Sequence, residues 1–274
     1  MVVERKSFLA EPEWRELPWS SAKGPESKAP FDHLVDILLD MPGLSHQRKA
    51  VENMTDPQQI LAYSKANVVE GQRLESKLNG WLEGYKSTVP GALYHPELSK
   101  IDSTVDSPEA GKLFPVAFRF PAYIVAQSMV YYWVGLMSVQ AHFCFTYNTI
   151  SQLLTTLDSI GRDKLPCTCT CGLEDEGMGC CLQHFTMQML PPLGHREDWP
   201  RTTARNICQS VEYFFQDKLR GFVAARVLPA LALVKGFLRY ARGDWTREIA
   251  WIDEMLGRIS ASGNAVAGAI RVMG

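Results

Sequence analysis

The last quarter of the chain, ARNICQSVEYFFQDKLRGFVAARVLPALALVKGFLRYARGDWTREIAWIDEMLGRIS (Ala204 to Ser260), contains three segments whose apolar residues recur at helical spacing. The first is predicted near Thr203 to Asp217. The second passes through Pro229, which must either kink the helix or begin it, because proline has no amide N–H to donate. The third is predicted to begin at Asp244, a residue type that caps helices. This stretch therefore predicts a group of three helices.

A long uncharged segment precedes this stretch, since no charged residue occurs between Arg119 and Asp158. A membrane-spanning helix needs about 20 mainly apolar residues. Polar side chains are scattered through this segment, however, and no cluster of Lys or Arg flanks it as the positive-inside rule requires. We therefore predict a helix buried at the centre of a protein core, without membrane contact.

Proline marks the helix boundaries in the first third of the chain. The sequence predicts a helix at 31–41, which Pro42 ends. A long helix is predicted at 57–84. Asp56 is its capping residue, and Pro57 occupies the first helical position, where the missing amide N–H costs nothing.

Together these segments predict an all-α fold. Stretches rich in proline and glycine predict surface loops at 87–115 and 161–200. No alternating strand pattern is found in the sequence. The expected architecture is a single multi-helix globular domain at 31–260 around the buried central helix, with an irregular segment at 1–30 and a tail at 261–274.

Composition narrows the class of protein. The 274 residues have a formal net charge of −2 and are 46% hydrophobic, as in soluble globular proteins. The first residues lack the apolar core and cleavage site of a secretory signal, so a nuclear or cytoplasmic location is expected. The seven cysteines are then expected to be reduced. Residues 201–273 contain eleven basic and six acidic residues, but the basic ones are spread along helices, which does not favour nucleic acid as a partner.

A cysteine-rich stretch is the first candidate site. PCTCTCGLEDEGMGCCLQH contains six potential zinc ligands: Cys167, Cys169, Cys171, Cys180, Cys181 and His184. Structural zinc modules usually pair cysteines in a CxxC or similar spacing, which this stretch does not have. We therefore favour structural or incidental thiols and no metal, with a zinc site and a redox sensor as the alternatives.

Three aspartates on the first predicted helix form a second candidate. Asp32, Asp36 and Asp40 recur every fourth residue and so lie on one helix face. A bound magnesium ion would relieve their repulsion and would suggest a cyclase or prenyl-transfer enzyme acting on a diphosphate. The adjacent aspartate pair of terpene cyclases is missing, so an ordinary solvated face is the favoured interpretation.

His142 and Glu212 are the candidate catalytic residues. His142 lies among aromatic residues of the uncharged segment, where an imidazole can act as a general base, line a ligand cavity or simply belong to the core. Glu212 lies on a helix that is apolar on two sides, so its carboxylate needs a partner, which Arg205 or Arg226 can supply. The two candidates can act together only if their helices face each other.

Seven segments in order resemble landmarks of the fungal-specific transcription factor domain, the regulatory region of zinc binuclear cluster transcription factors. They are EPEWRELPW (11–19), FDHLVDILLDMPGL (31–44), YYWVGL (131–136), LPPLG (190–194), DWPR (198–201), ARNICQSVEYFF (204–215) and REIAWIDEMLGRIS (247–260). The resemblance implies an all-helical regulatory domain that self-associates, responds to effectors and restrains activation, and it transfers no catalytic residue. The zinc cluster itself is not found in this sequence, so no sequence-specific DNA binding is expected.

Two functions from different classes follow from these observations. The first is a stand-alone transcription factor-like regulator without a cofactor, acting through a protein partner, as a dimer or under a small-molecule effector, in secondary metabolism. The alternative is a cofactor-independent cyclase or isomerase, or a small-molecule binder, although no familiar nucleotide, hydrolase or metalloprotease motif is present. A cavity lined by His142, Glu212, Tyr131 and Trp133 would favour the enzyme, and an exposed apolar helix face would favour the partner protein.

Overall fold

The computed structural model describes residues 9, 11–20, 28–162, 182–216 and 224–261, and these residues confirm the predicted all-α fold. The α-helices in this part of the chain are α1 (Pro12–Ser20), α2 (Pro30–Leu38), α3 (Met41–Glu52), α4 (Pro57–Thr88), α5 (Tyr123–Ile160), α6 (Arg205–Phe214), α7 (Leu228–Leu238) and α8 (Thr246–Ala261). A π-helical turn at Pro200–Ala204 leads into α6, and a 3₁₀ turn at Ala224–Val227 leads into α7. The strands described are β1 (His95–Leu98) and β2 (Val116–Arg119).

The predicted capping and proline signals mark true helix starts. Asp56 accepts a hydrogen bond from the backbone N–H of Gln58 at 3.0 Å, and α4 begins at Pro57. Asp244 accepts hydrogen bonds from the backbone N–H and the hydroxyl of Thr246, at 3.0 and 2.6 Å, where α8 begins. Pro229 lies in the first turn of α7, so it begins this helix and does not kink it.

The N-terminal part of the chain is more helical than the sequence predicts. The segment at 1–30, predicted to be irregular, contains α1. Pro42 does not end the helical region, because α2 stops at Leu38 and Pro42 lies in the first turn of α3. Proline is tolerated at a helix start, where its missing N–H has no intrahelical partner to lose.

The first strand of a short sheet lies within the loop that the sequence predicts at 87–115, and the second strand follows directly after it. Strand β1 pairs with β2 in antiparallel register, with His95 opposite Arg119 and Leu98 opposite Val116. Each strand has four residues, too few to show an alternating pattern in the sequence.

Helix α5 contains the long uncharged segment that the sequence predicts to be a buried helix. It has 38 residues, and Met137, Val139 and Ile150 within it have no exposed surface. No helix in the described ranges is long and apolar enough to cross a membrane.

The chain divides into two compact units. Unit 1 takes the described residues within 1–28, 35–77 and 138–197, and unit 2 takes those within 29–34, 78–137 and 198–274. The core of unit 1 includes Leu74, Phe143, Ile150 and Phe185, and the core of unit 2 includes Met129, Ile207, Leu231 and Ile252. The division falls inside α2, α4 and α5, so no linker composition in the sequence signals it.

Candidate functional site

Glu212 lies on α6 and fixes an irregular segment of unit 2. Its carboxylate accepts hydrogen bonds from the Ser99 hydroxyl at 2.8 Å and from the backbone N–H groups of Lys100 and Ile101 at 3.0 and 3.4 Å. These loop donors take the place of the arginine partner that the sequence suggested. Since the carboxylate is occupied by donors of the protein itself, it serves to hold the chain in position.

His142 lies in the core of unit 1, on α5. Its side chain is buried, and its Nε2 atom has no hydrogen-bond partner among the described residues. Burial lowers the pKa of His142 to about 4, against a weaker opposing effect of its hydrogen bond with the Asn67 backbone. The imidazole is therefore neutral near pH 7. Glu212 belongs to unit 2, so the two candidate catalytic residues, His142 and Glu212, lie in different units.

The cysteine-rich candidate cannot be placed in the fold. Its members Cys167, Cys169, Cys171, Cys180 and Cys181 lie outside the described residues. His184 is described and lies, with Asp158 and Arg162, along an open groove of about 510 Å³ in unit 1. The described part of the chain contains no group of three or more His, Cys, Asp or Glu side chains that could hold a metal ion. The zinc and redox alternatives remain predictions.

The three aspartates of the first predicted helix have separate structural partners. Asp32 accepts a hydrogen bond from the backbone N–H of Ala29 at 3.0 Å, and Asp36 pairs with Lys28 at 2.7 Å. Asp40 pairs with Arg15 of α1 at 2.6 Å. Partial burial raises the pKa of Asp40, but the bond to Arg15 and the nearby cations outweigh it, so the pKa is lowered. Each carboxylate is thus half-buried and bound locally. Asp40 lies beyond the end of α2 at Leu38, so the three aspartates do not share the solvated helix face that the sequence favours.

An amphiphilic cleft in unit 2 is a site that the sequence did not predict. Its volume is about 150 Å³. It is lined by Leu113, Phe114, Pro200, Arg201, Ala204, Arg205, Cys208, Val234, Leu238, Trp245 and Glu248. These residues come from four separate segments of the chain, and no spacing in the sequence connects them. Neither this cleft nor the groove beside His184 is lined by the proposed catalytic residues.

The floor and the rim of this cleft differ in polarity. The floor is apolar, since Ala204, Val234 and Leu238 are almost fully buried. The rim is charged: Arg201 and Arg205 are exposed and Glu248 is half-buried. Arg205 and Glu248 form no ion pair with each other or with any other residue in the described ranges. Two opposite charges thus face one cleft without neutralising each other.

The aromatic walls of the cleft are fixed in place. The indole N–H of Trp245 donates to the backbone carbonyl of Arg242 at 3.0 Å, and the Arg201 guanidinium lies 5.4 Å from a Trp245 ring centroid. Phe114 meets Trp251 edge-on, with ring centroids 4.7 Å apart. A wall that is already ordered loses little conformational entropy when a ligand binds.

Carboxylates hold the loop that carries Leu113. Asp106 accepts a hydrogen bond from the Leu113 N–H at 2.9 Å. Glu254 of α8 accepts bonds from the Ser103 hydroxyl at 2.6 Å and the Thr104 N–H at 2.8 Å. Burial raises the pKa of Glu254, but these hydrogen bonds and that of Arg258 together lower it to about 2. Glu254 therefore stays ionised near neutral pH and keeps the loop attached to α8.

Cys208 is the thiol on the floor of the cleft. It is buried and free, and burial, helped by the nearby Glu248 charge, raises the pKa of its thiol against the opposing effect of Arg205. The nucleophilic form of cysteine is the thiolate, so a thiol held protonated is unreactive. The cleft thus combines binding groups with an inert floor.

Comparison with protein-family models, with curated proteins and with solved structures found no match to this chain. The similarity to the fungal-specific transcription factor domain therefore remains a prediction from the sequence.

Proposed function

We propose that this chain is a regulatory protein without catalytic activity: a stand-alone transcription factor-like domain that acts through a protein partner under the control of a small-molecule effector. The observation that carries the proposal is the cleft of unit 2, in which Arg205 and Glu248, without ion pairs among the described residues, border an apolar floor and an unreactive thiol. Such a lining suits the reversible binding of a small amphiphilic molecule. The nucleus or cytoplasm is the proposed location, and secondary metabolism the proposed process.

The state of the two candidate catalytic residues supports this proposal over a cyclase or isomerase. A general base must have a pKa near the working pH and must reach its substrate. His142 is buried with its pKa lowered to about 4, and Glu212 is bonded to Ser99 and the neighbouring backbone. Both residues therefore act as parts of the fold.

Deletion of the gene tests the proposal. A regulator changes the transcript levels of several genes, whereas an enzyme changes the level of its substrate and product with transcripts unaltered. A replacement gene encoding Arg205→Gln should reproduce part of the transcript change, because it leaves the fold intact and alters only the rim of the cleft. Unchanged transcripts, together with turnover of a metabolite by the purified chain, would reject the proposal in favour of the enzyme.

The partner component is tested separately by light scattering and by crosslinking in cell extracts. A dimer or a defined hetero-complex is expected, and a chain that remains monomeric and uncrosslinked in the extract would contradict it.

A further inference from the structure

We infer that the cleft of unit 2 binds a free α-amino acid with one aromatic ring in its side chain. The carboxylate would lie at Arg205, the ammonium group at Glu248 and the ring on the apolar floor. This inference rests on the proposed function in one respect, which is that the ligand is an effector and not a substrate.

The charges at the rim determine the polar end of the ligand. Arg205 and Glu248 line the same cleft and act on the same thiol, that of Cys208, with opposite electrostatic signs. Neither is neutralised by an ion pair within the described part of the chain. A molecule carrying a carboxylate and an ammonium group on one carbon supplies both missing partners. A simple anion would leave Glu248 unpaired and repelled.

The guanidinium groups favour a carboxylate as the anionic part. Among the described residues no hydrogen bond or ion pair engages the Arg205 guanidinium. The Arg201 side chain is 70% exposed, with a long contact of 3.4 Å to Asp198 and the Trp245 ring beside it. Guanidinium matches a carboxylate through two parallel hydrogen bonds, which adds orientation as well as affinity.

The floor determines the size and shape of the apolar end. A cavity of about 150 Å³ accommodates a benzene ring, and the cleft has this volume. Its walls include Phe114 and Trp245, both held in place by neighbouring groups. Rings prefer edge-on or offset contacts with such walls. A phenyl or hydroxyphenyl group fits, whereas an indole is too large and a methyl group leaves the floor empty.

Calorimetric titration of the purified full chain with five ligands tests this inference. L-Phenylalanine is expected to bind; 3-phenylpropanoate lacks the ammonium group, 2-phenylethylamine lacks the carboxylate, glycine lacks the ring and L-tryptophan is oversized. Each missing charge should weaken binding by about 10- to 100-fold, because it removes a charge-assisted hydrogen bond. Glycine should show no binding at millimolar concentration.

Charge-removing variants assign each end of the ligand. Arg205→Gln should weaken the binding of L-phenylalanine and of 3-phenylpropanoate by about 10-fold. It should leave the affinity for 2-phenylethylamine unchanged. Glu248→Gln should weaken the binding of L-phenylalanine and of 2-phenylethylamine, and should leave the affinity for 3-phenylpropanoate unchanged. Arg239→Gln and Glu109→Gln are the matched controls, because both side chains are exposed and neither lines the cleft. Circular dichroism confirms that each variant is folded.

Absence of L-phenylalanine binding at millimolar concentration, or binding that is unaffected by both rim variants, overturns the inference. The proposed function fails on a different observation, which is recovery of a chemically altered ligand by mass spectrometry. Ligand binding with turnover would retain the site and reject the regulator, whereas altered transcripts without ligand binding would retain the regulator and reject the ligand.

Discussion

Glu212 and Arg205 lie on the same helix, and their spatial neighbours give these two charged side chains different roles. The sequence places Glu212 on an amphipathic stretch and Arg205 seven residues before it on the same helix. In the fold, loop donors bind Glu212, whereas Arg205 lines the cleft with no ion pair to any residue that the structure describes. Spacing along one helix could not distinguish them, because the deciding groups come from Ser99 to Ile101 and from the cleft walls.

Removal of the Glu212 carboxylate should destabilise the chain. Glu212→Ala leaves the Ser99 hydroxyl and the Lys100 N–H without their acceptor, and the loss of hydrogen bonds to a charged group is expected to cost about 2 kcal/mol. Urea unfolding followed by circular dichroism measures this change. Glu97→Ala is the control, because Glu97 is an exposed carboxylate whose Oε1 atom makes only a long contact of 3.6 Å with Nε of Arg119. Equal unfolding midpoints for the two variants would contradict a clamping role for Glu212.

His142 should make the protein less stable in mild acid. Its pKa is about 4 in the folded chain and 6.5 when exposed. The unfolded chain therefore binds a proton first as the pH falls, and the folded state loses stability between about 6.5 and about 4. The loss amounts to roughly 3 kcal/mol for a shift of this size.

Unfolding free energies at pH 7, 5.5 and 4.5 test this expectation. The decrease in the free energy of unfolding from pH 7 to pH 4.5 should be smaller in His142→Leu than in the parent chain, because the variant has no imidazole to protonate at this position. His195→Gln is the matched control, since His195 is exposed, and its pH dependence should follow the parent. A parent and a His142→Leu variant with identical pH profiles would show that burial of this imidazole has no energetic consequence.

At the scale of the helix, Gly71 and Gly80 of α4 differ in the space that a Cβ atom would find. A Cβ at Gly71 would lie 2.9 Å from the Cζ atom of Phe143, whereas a Cβ at Gly80 would meet nothing within 4 Å. Phe143 cannot move aside easily, because it is buried and the Arg196 guanidinium lies 4.7 Å from its ring centroid. Arg196 is itself held by Glu75 at 2.7 Å.

Alanine at these two positions should therefore shift stability in opposite directions. Gly80→Ala is expected to stabilise the protein by about 0.5–1 kcal/mol, since alanine favours the helix. Gly71→Ala is expected to destabilise it by about 1–3 kcal/mol, since the added methyl overpacks the core. Thermal unfolding of both variants measures the difference, and a stabilised Gly71→Ala would mean that the Phe143 ring has room to move.

Boundaries of elements were predicted well where the signal is local. The Asp56 cap, the Asp244 cap and Pro229 each act within one helical turn, so the sequence alone determines them. The start of α3 at Met41, with Pro42 in its first turn, and the pairing of β1 with β2 are not predicted by the sequence. Proline ends one helix and begins another with equal ease, and a strand of four residues is stabilised by its partner and not by its own pattern.

At the scale of the whole molecule, the chain should not bind DNA with sequence selectivity. The overall net charge is −2, and the excess of basic residues at 201–273 is spread over separate helices. Such a distribution supports at most weak, salt-sensitive contact with phosphates. A gel shift with random and genomic fragments at physiological salt should show no selective complex, and an addition of competitor DNA should abolish any that forms at low salt. A complex that survives competition would contradict this expectation.

The sequence by itself determined that the protein is all-α, that its longest uncharged segment is a buried helix and that particular residues cap particular helices. These properties depend on periodicity and on contacts within a few residues. Only the tertiary structure decided that Glu212 holds a loop, that His142 is a neutral core residue and that Arg205 and Glu248 face one cleft. The physical reason is that pairing, burial and cavity shape depend on groups far apart in the chain, and the sequence carries no periodic signal for such encounters.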